Sequence, residues 1–161
     1  MQRLRRAGWL VLAAATAALD LWSKALWDYR PPALNPTRIP IIEGWLQVQT
    51  VWNEGGVWSL DLPRWILFGG TAVAVPLLLL WLLLPRNVRR WDSAAKAMIL
   101  GGAVGNLWDR WQWGKVRDWI DVDLWGWDYP TFNVADAALV VGIGMLLLTS
   151  FRKSRPAGEE A

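Results

Sequence analysis

The chain has 161 residues, 54% of them hydrophobic, a formal net charge of +3, and neither histidine nor cysteine. Those two absences exclude Ser-His-Asp and Cys-His nucleophilic arrangements, disulfides, and zinc sites built on their usual nitrogen and sulfur ligands. A positive mean hydropathy of +0.19 turns the first question toward the membrane.

The N-terminal "MQRLRRAGWLVLAAATAALDLWSKALW" starts basic and then runs uncharged for 13 residues, Ala7 to Leu19. No small-residue cleavage site follows, so the segment reads as a first span over residues 8–27 and not as a signal peptide. Asp20 and Lys24 lie four apart, on one helix face in its outer half. In the next stretch the prolines and Gly44 argue against helix, whereas "WLQVQTVW" alternates and is rich in β-favouring residues. A short strand or hairpin at the outer interface is expected there, with a turn at "NEGG" and a return strand at "VWSL". Trp65 to Leu84 is uncharged and matches the roughly 20 residues that cross a hydrocarbon core of about 30 Å.

A third span is expected over residues 94–113. Its "MILGGAVGNLWDRW" carries Gly101 and Gly105 at GxxxG spacing, which suits close helix packing. It ends on Asn106, Asp109 and Arg110, and the neighbouring Asp109 and Arg110 point in different directions and seek partners elsewhere. "QWGKVRDWIDVDLWGWDYP" then reads as a short, partly extended outer segment. The fourth span, 134–151, opens at "FNVAD", where Asn133 suits an N-cap and Asp136 the positive end of the helix dipole. Residues 154–161 read as a flexible tail.

Arg3, Arg5 and Arg6 precede the first span, Arg86, Arg89 and Arg90 separate the second and third, and Arg152, Lys153 and Arg155 follow the fourth. The positive-inside rule places these groups, and both termini, in the cytoplasm. Topology thus accounts for the positive charge, and no nucleic-acid partner is needed. Of the 15 tryptophans, many cluster near span ends, among them Trp22, Trp27, Trp65, Trp108, Trp111 and Trp113, as interfacial anchors do.

Polar residues concentrate at one level: Asp20, Lys24, Asn53, Asn106, Asp109, Arg110, Asp118, Asn133 and Asp136 all map to the outer third of the membrane or its surface. Structural readings exist for most, namely an Asp20–Lys24 ion pair, a polar network and a capped helix. Capping does not explain Asp118, a further acid at the same depth. A pair of aspartates within about 3 Å of each other cannot both ionise, so one activates a water while the other donates to a carbonyl oxygen. That chemistry hydrolyses a peptide bond without His, Cys or metal. Two alternatives remain at this point. One is a Ser/Lys hydrolase using Lys24 with Ser59, Ser23 being turned about 100° away on the helix. The other is a proton-coupled carrier or assembly factor with the acids as a relay.

"LDLWSKALW", "VWNEGGVWSL", "GGAVGNLWDRWQWGKVRDWID" and "FNVADAALVVG" resemble, in order and spacing, the blocks of the lipoprotein signal peptidase (signal peptidase II) family, from Asp20 to Gly142. The resemblance implies a single-domain, membrane all-α fold, a four-transmembrane-helix bundle with a small extracytoplasmic β-cradle over about 40–62. It implies an aspartyl endopeptidase of the bacterial inner membrane that cleaves diacylglyceryl-modified prolipoproteins before the lipidated cysteine. The catalytic residues fall on Asp118 and Asp136. Substrate-binding or supporting roles fall on Asp20, Lys24, Asn53, Gly55, Asn106, Asp109, Arg110 and Asn133. No metal or cofactor is implied. The expected partners are the prolipoprotein, membrane lipid and globomycin-type peptide inhibitors, and the expected state is a monomer. Departures from the family's blocks fall at Leu21, Trp58, Arg117, Trp119 and Ala137. Of these, Arg117 would lower the pKa of Asp118 if it turned inward, and strand alternation predicts that it points away.

Overall fold

The structure, a computed structural model, describes residues 2–28, 38–55, 63–84 and 89–153. In chain order it runs α1 (Gln2–Asp28), β1 (Ile39–Ile42), β2 (Leu46–Asn53), α2 (Arg64–Leu83), α3 (Arg90–Trp113), β3 (Val116–Leu124), β4 (Trp127–Phe132) and α4 (Val134–Lys153). The expected return strand at "VWSL", with Trp58 and Ser59, and the tail 154–161 lie outside the described residues.

Helix α3 is the hub, packed against α1, α4 and α2. Six of its thirteen buried positions are Ala or Gly: Ala95, Ala97, Gly101, Gly102, Ala103 and Gly105. Small residues let helix backbones approach closely where lipid supplies no hydrophobic drive. A Cβ added at Gly101 would lie 2.5 Å from the Ala13 carbonyl oxygen of α1, and one at Gly105 would strike the Asp20 carboxylate. An apolar cluster joins Ala13, Leu82, Ala97 and Leu100, with Trp9, Val75 and Leu78 against it.

The outward faces invert the soluble pattern. Val11, Leu19 and Trp22 on α1, Val73 and Leu77 on α2, and Val140, Ile143 and Leu148 on α4 are all exposed. Among the described residues, three helices are long and apolar enough to cross a membrane: α1, α2 and α4 over Arg6–Trp27, Arg64–Leu83 and Val134–Phe151. The sequence reading expected four. Helix α3 has the length, at 24 residues, but carries Asp92, Lys96, Asp109 and Arg110. Its polar side chains are turned into the bundle, so it does not need the apolarity that lipid contact demands.

The sheet departs from expectation in extent. Among the described residues it is four-stranded and antiparallel in the order β1-β2-β3-β4, and two of those strands come from the second outer segment, which was expected to be short and only partly extended. The β3–β4 turn is the two-residue Trp125–Gly126, with φ of 56° and 87°. Both central residues of a type I′ hairpin turn take positive φ, which suits Asn-Gly and not a bulky residue. Trp125 is nonetheless there, and it is 96% exposed.

Candidate active site

Three junctions bring the polar residues together. Helix α3 ends at Gly114, which takes the left-handed conformation (φ 68°) and donates its N–H to the Arg110 carbonyl at 2.9 Å. That C-terminal glycine reverses the chain so that β3 returns beside the helix it has just left. Strand β2 pairs with β3 so that Asn53 faces Val116. Asp118, two residues on, is therefore Asn53's diagonal neighbour on the same face. Finally, Asn133 caps α4 reciprocally: its Oδ1 accepts the Asp136 N–H at 2.9 Å, while its own N–H donates to Asp136 Oδ2 at 3.3 Å. This is the capping-box arrangement in an Asn/Asp version.

The network that results is continuous. Asp118 Oδ2 accepts from Asn53 Nδ2 at 2.9 Å and Oδ1 from Asn133 Nδ2 at 2.6 Å. Asp136 Oδ1 accepts from Asn106 Nδ2 at 2.8 Å. Asn106 Oδ1 in turn accepts from the Lys24 ammonium at 3.0 Å and from Asn133 Nδ2 at 3.2 Å. Two asparagine amides thus join the two aspartates, and Lys24 polarises the nearer one. Gly55 contributes through its backbone, its N–H donating to Asn53 Oδ1 at 2.9 Å and fixing which way that amide faces.

Behind this layer lies a charged one. Asp20, Lys24 and Asp109 are all buried. Lys24 pairs with Asp20 at 2.7 Å and with Asp109 at 3.4 Å. The other Asp20 oxygen accepts the N–H of Ala135 at 2.8 Å, so α1 holds the first turn of α4 by the donors a helix start leaves open. Asp109 is also gripped by Arg117, Nη2 to Oδ1 at 2.7 Å. Arg110 turns back toward the Asn106 carbonyl at 3.5 Å and lies within electrostatic reach of Asp136, Asp118 and Asp109.

Burial, first, and the charge of Asp136, second, push the Asp118 carboxyl up from its ordinary 3.8 to about 7. The hydrogen bonds from Asn53 and Asn133 and the Lys24 ammonium oppose that rise without cancelling it. Arg117 is turned to Asp109. Asp118 is therefore a carboxyl poised to hold a proton near neutrality, beside a second carboxyl on another element. Such a pair can work as acid and base.

A cavity of about 290 Å³ opens beside the network, lined by Asn53, Arg110, Trp65, Phe68, Trp111 and Lys115, among others. Glu54 bridges its charged rim, at 2.5 Å from Arg64 and 4.0 Å from Lys115. All ten candidate residues, Asp20, Lys24, Asn53, Gly55, Asn106, Asp109, Arg110, Asp118, Asn133 and Asp136, fall in this one region. The sequence reading missed Arg64, Lys115 and the pairing of Arg117 with Asp109. It also missed a second polar cluster on the sheet, where Asp121 meets Gln49 at 3.0 Å and Arg38 at 3.2 Å. The acid alternation of β3 was the one available signal for that cluster.

Comparison with known proteins gives concordant findings. A family profile described as signal peptidase (SPase) II matches residues 12–152. The chain is 38% identical over 160 residues to the lipoprotein signal peptidase of Xanthomonas campestris pv. campestris, covering 93% of each chain. It is also 38% identical over 159 residues to that of Rhodopirellula baltica, covering 87% of this chain and 70% of the other. A solved structure described as a bacterial membrane enzyme superposes with a TM-score of 0.85 at 21% identity, over 96% of this chain and 94% of that one. That likeness establishes the fold.

Proposed function

This chain belongs to the signal peptidase II family, and on that premise we propose that it is an aspartyl endopeptidase that removes the signal peptide from diacylglyceryl-modified prolipoproteins, cleaving before the lipidated cysteine. Asp118 and Asp136 are the catalytic pair. The observation that carries this reading is the convergence of two carboxylates, one on β3 and one on α4, on a single amide network in which Asp118 is held near neutrality in its titration.

The mechanism follows from that arrangement. A water seated between the carboxylates loses a proton to the ionised one and attacks the scissile carbonyl carbon. The protonated one, Asp118 at rest, donates to the carbonyl oxygen, and the amine leaves with a proton returned from the pair. Asn53 and Asn133 keep the Asp118 oxygens oriented, and Asn106 does the same for Asp136. Asp20, Lys24 and Asp109 hold the three helices in register behind them. Asn53 and Arg110 also face the cavity, which is the natural seat for the substrate backbone beside the cleaved bond.

The topology in this reading is a single domain of four spans, with α3 as the fourth, enclosed by its neighbours. Both termini are cytoplasmic and the sheet and active site face outward from the bacterial inner membrane. The lipid on the substrate's cysteine stays in the outer leaflet and delivers the bond laterally to the carboxylate level. The protein acts as a monomer, without cofactor, and is inhibited by globomycin-type peptides. The test is cleavage of a diacylated prolipoprotein across pH. The rate should fall as pH rises through about 7, where Asp118 loses its proton, and cleavage by Ser59→Ala should match wild type. Loss of cleavage in Ser59→Ala would return the Ser/Lys reading.

A further inference from the structure

Arg117 stands immediately before Asp118 on β3 and is held through its backbone N–H, its guanidinium and its carbonyl. Its backbone N–H donates to Asp109 Oδ2 at 3.0 Å, and its guanidinium closes on the same carboxylate, Nη2 to Oδ1 at 2.7 Å and Nε to Oδ2 at 3.3 Å. Its carbonyl accepts from Asn133 Nδ2 at 3.3 Å. The strand residue that leads into Asp118 is thus pinned to α3 on one side and to the cap of α4 on the other.

Among the described residues, the charges facing this point lie on four elements: Asp20 and Lys24 on α1, Asp109 and Arg110 on α3, Asp136 on α4, and Arg117 and Asp118 on β3. The cations are Lys24, Arg110 and Arg117, and the carboxylates are Asp20, Asp109, Asp118 and Asp136. The set is neutral when the Asp118–Asp136 pair holds one proton, the state the mechanism needs. Glu54, Arg64 and Lys115 form a separate, more exposed set at the cavity rim. The division of labour matters as much as the sum. With Arg117 on Asp109, Lys24 rests on Asp20 and on Asn106 Oδ1, the amide that orients Asp136. Without the guanidinium, Lys24, already 3.4 Å from Asp109, is drawn to that buried and underpaired carboxylate and away from Asn106.

We propose that Arg117 is a positioning residue for the cleavage reaction: by neutralising Asp109 it keeps Lys24 on Asn106 and sets the charge balance at which the aspartate pair carries a single proton. The proposal rests on the aspartyl reading above.

Its test compares wild type, Arg117→Gln, Arg117→Lys, the double variant Asp109→Asn/Arg117→Gln and Asp118→Asn, all full-length in one detergent, cleaving a diacylated prolipoprotein from pH 5 to 9. Arg117→Gln should lose kcat by about 10- to 100-fold through misplacement of Asp118 and Asp136, with KM little changed. The alkaline limb of kcat/KM should move up by about half a pH unit or more, because removing a cation makes ionising the pair harder. Arg117→Lys should bring the limb back toward wild type. The double variant, which removes both charges at once, should also restore it, and it carries the test if Arg117→Gln is too unstable to assay. An alkaline limb unmoved in Arg117→Gln overturns the proposal, whether the rate falls or not. A double variant whose limb is displaced from wild type overturns it as well. In either case an inactive Asp118→Asn leaves the aspartyl reading standing, whereas an active Asp118→Asn removes that reading and the proposal together.

Discussion

Replacing Asp118 by Asn should change the sign of its effect on stability between pH 3.5 and pH 8. The native carboxyl titrates at about 7 and the unfolded one at its ordinary 3.8. Between those values the folded state binds the extra proton, so stability falls as pH rises through that window. At 1.36 kcal/mol per pH unit, the ionised, buried carboxylate costs on the order of 4 kcal/mol once pH exceeds about 7. Asn carries no such charge. It does place an amide nitrogen against either Asn53 Nδ2 or Asn133 Nδ2, both of which donate to Asp118, and a lost or frustrated buried hydrogen bond costs about 1–3 kcal/mol. Asp118→Asn should therefore be more stable than wild type at pH 8, by about 1–3 kcal/mol, and less stable at pH 3.5 by a similar amount, where the carboxyl is largely protonated in both states and the wild type keeps both bonds. Thermal unfolding of both proteins in one detergent, followed by tryptophan near-UV circular dichroism at the two pH values, measures this. A difference of the same sign at both pH values would refute the burial argument.

Gly105→Ala drives a methyl group into the buried Asp20 carboxylate, and overpacking of this kind costs about 1–3 kcal/mol; the thermal midpoint and the cleavage rate should fall together. Lys24→Met leaves Asp20 and Asp109 buried without their ammonium, a change worth about 3–5 kcal/mol, read by loss of folded protein in size-exclusion chromatography. Asn133→Ala removes the α4 cap and the Asp118 donor; about 1 kcal/mol of stability and about 100-fold in kcat should go with it. Trp125→Asn puts a residue that tolerates positive φ into the β3–β4 turn and should gain about 1 kcal/mol, with cleavage at the wild-type rate; a lower thermal midpoint would contradict the turn argument.

The apolar run of α2 was legible because lipid-facing residues need only be apolar and uncharged. Helix α3 was legible as a helix but not by apolarity, because three neighbours surround it and its buried face holds Ala, Gly and polar side chains with only Ile99 and Leu100 as larger aliphatics. The strands β3 and β4 were underread for a related reason. Asp118, Asp121, Asp123 and Asp128, together with Gly126 and Pro130, depress strand propensity, and what makes the segment a sheet is its pairing with β2, more than sixty residues away in the chain. Within the site, the capping geometry of Asn133 and Asp136 could be read locally, since it spans one helical turn. The grip of Arg117 on Asp109 could not, because it depends on the left-handed turn at Gly114 returning the strand against its own helix. Nor could the central place of Asn106, whose three amide contacts come from α1 and from both ends of the α4 cap.

The most direct measurement of the catalytic assignment is gel-shift cleavage of a diacylated prolipoprotein by purified wild type, Asp118→Asn and Asp136→Asn, with folding and substrate binding checked for each. The account predicts that both variants bind and neither cleaves. Cleavage at the wild-type rate by either one would contradict it, removing that carboxylate from the chemistry.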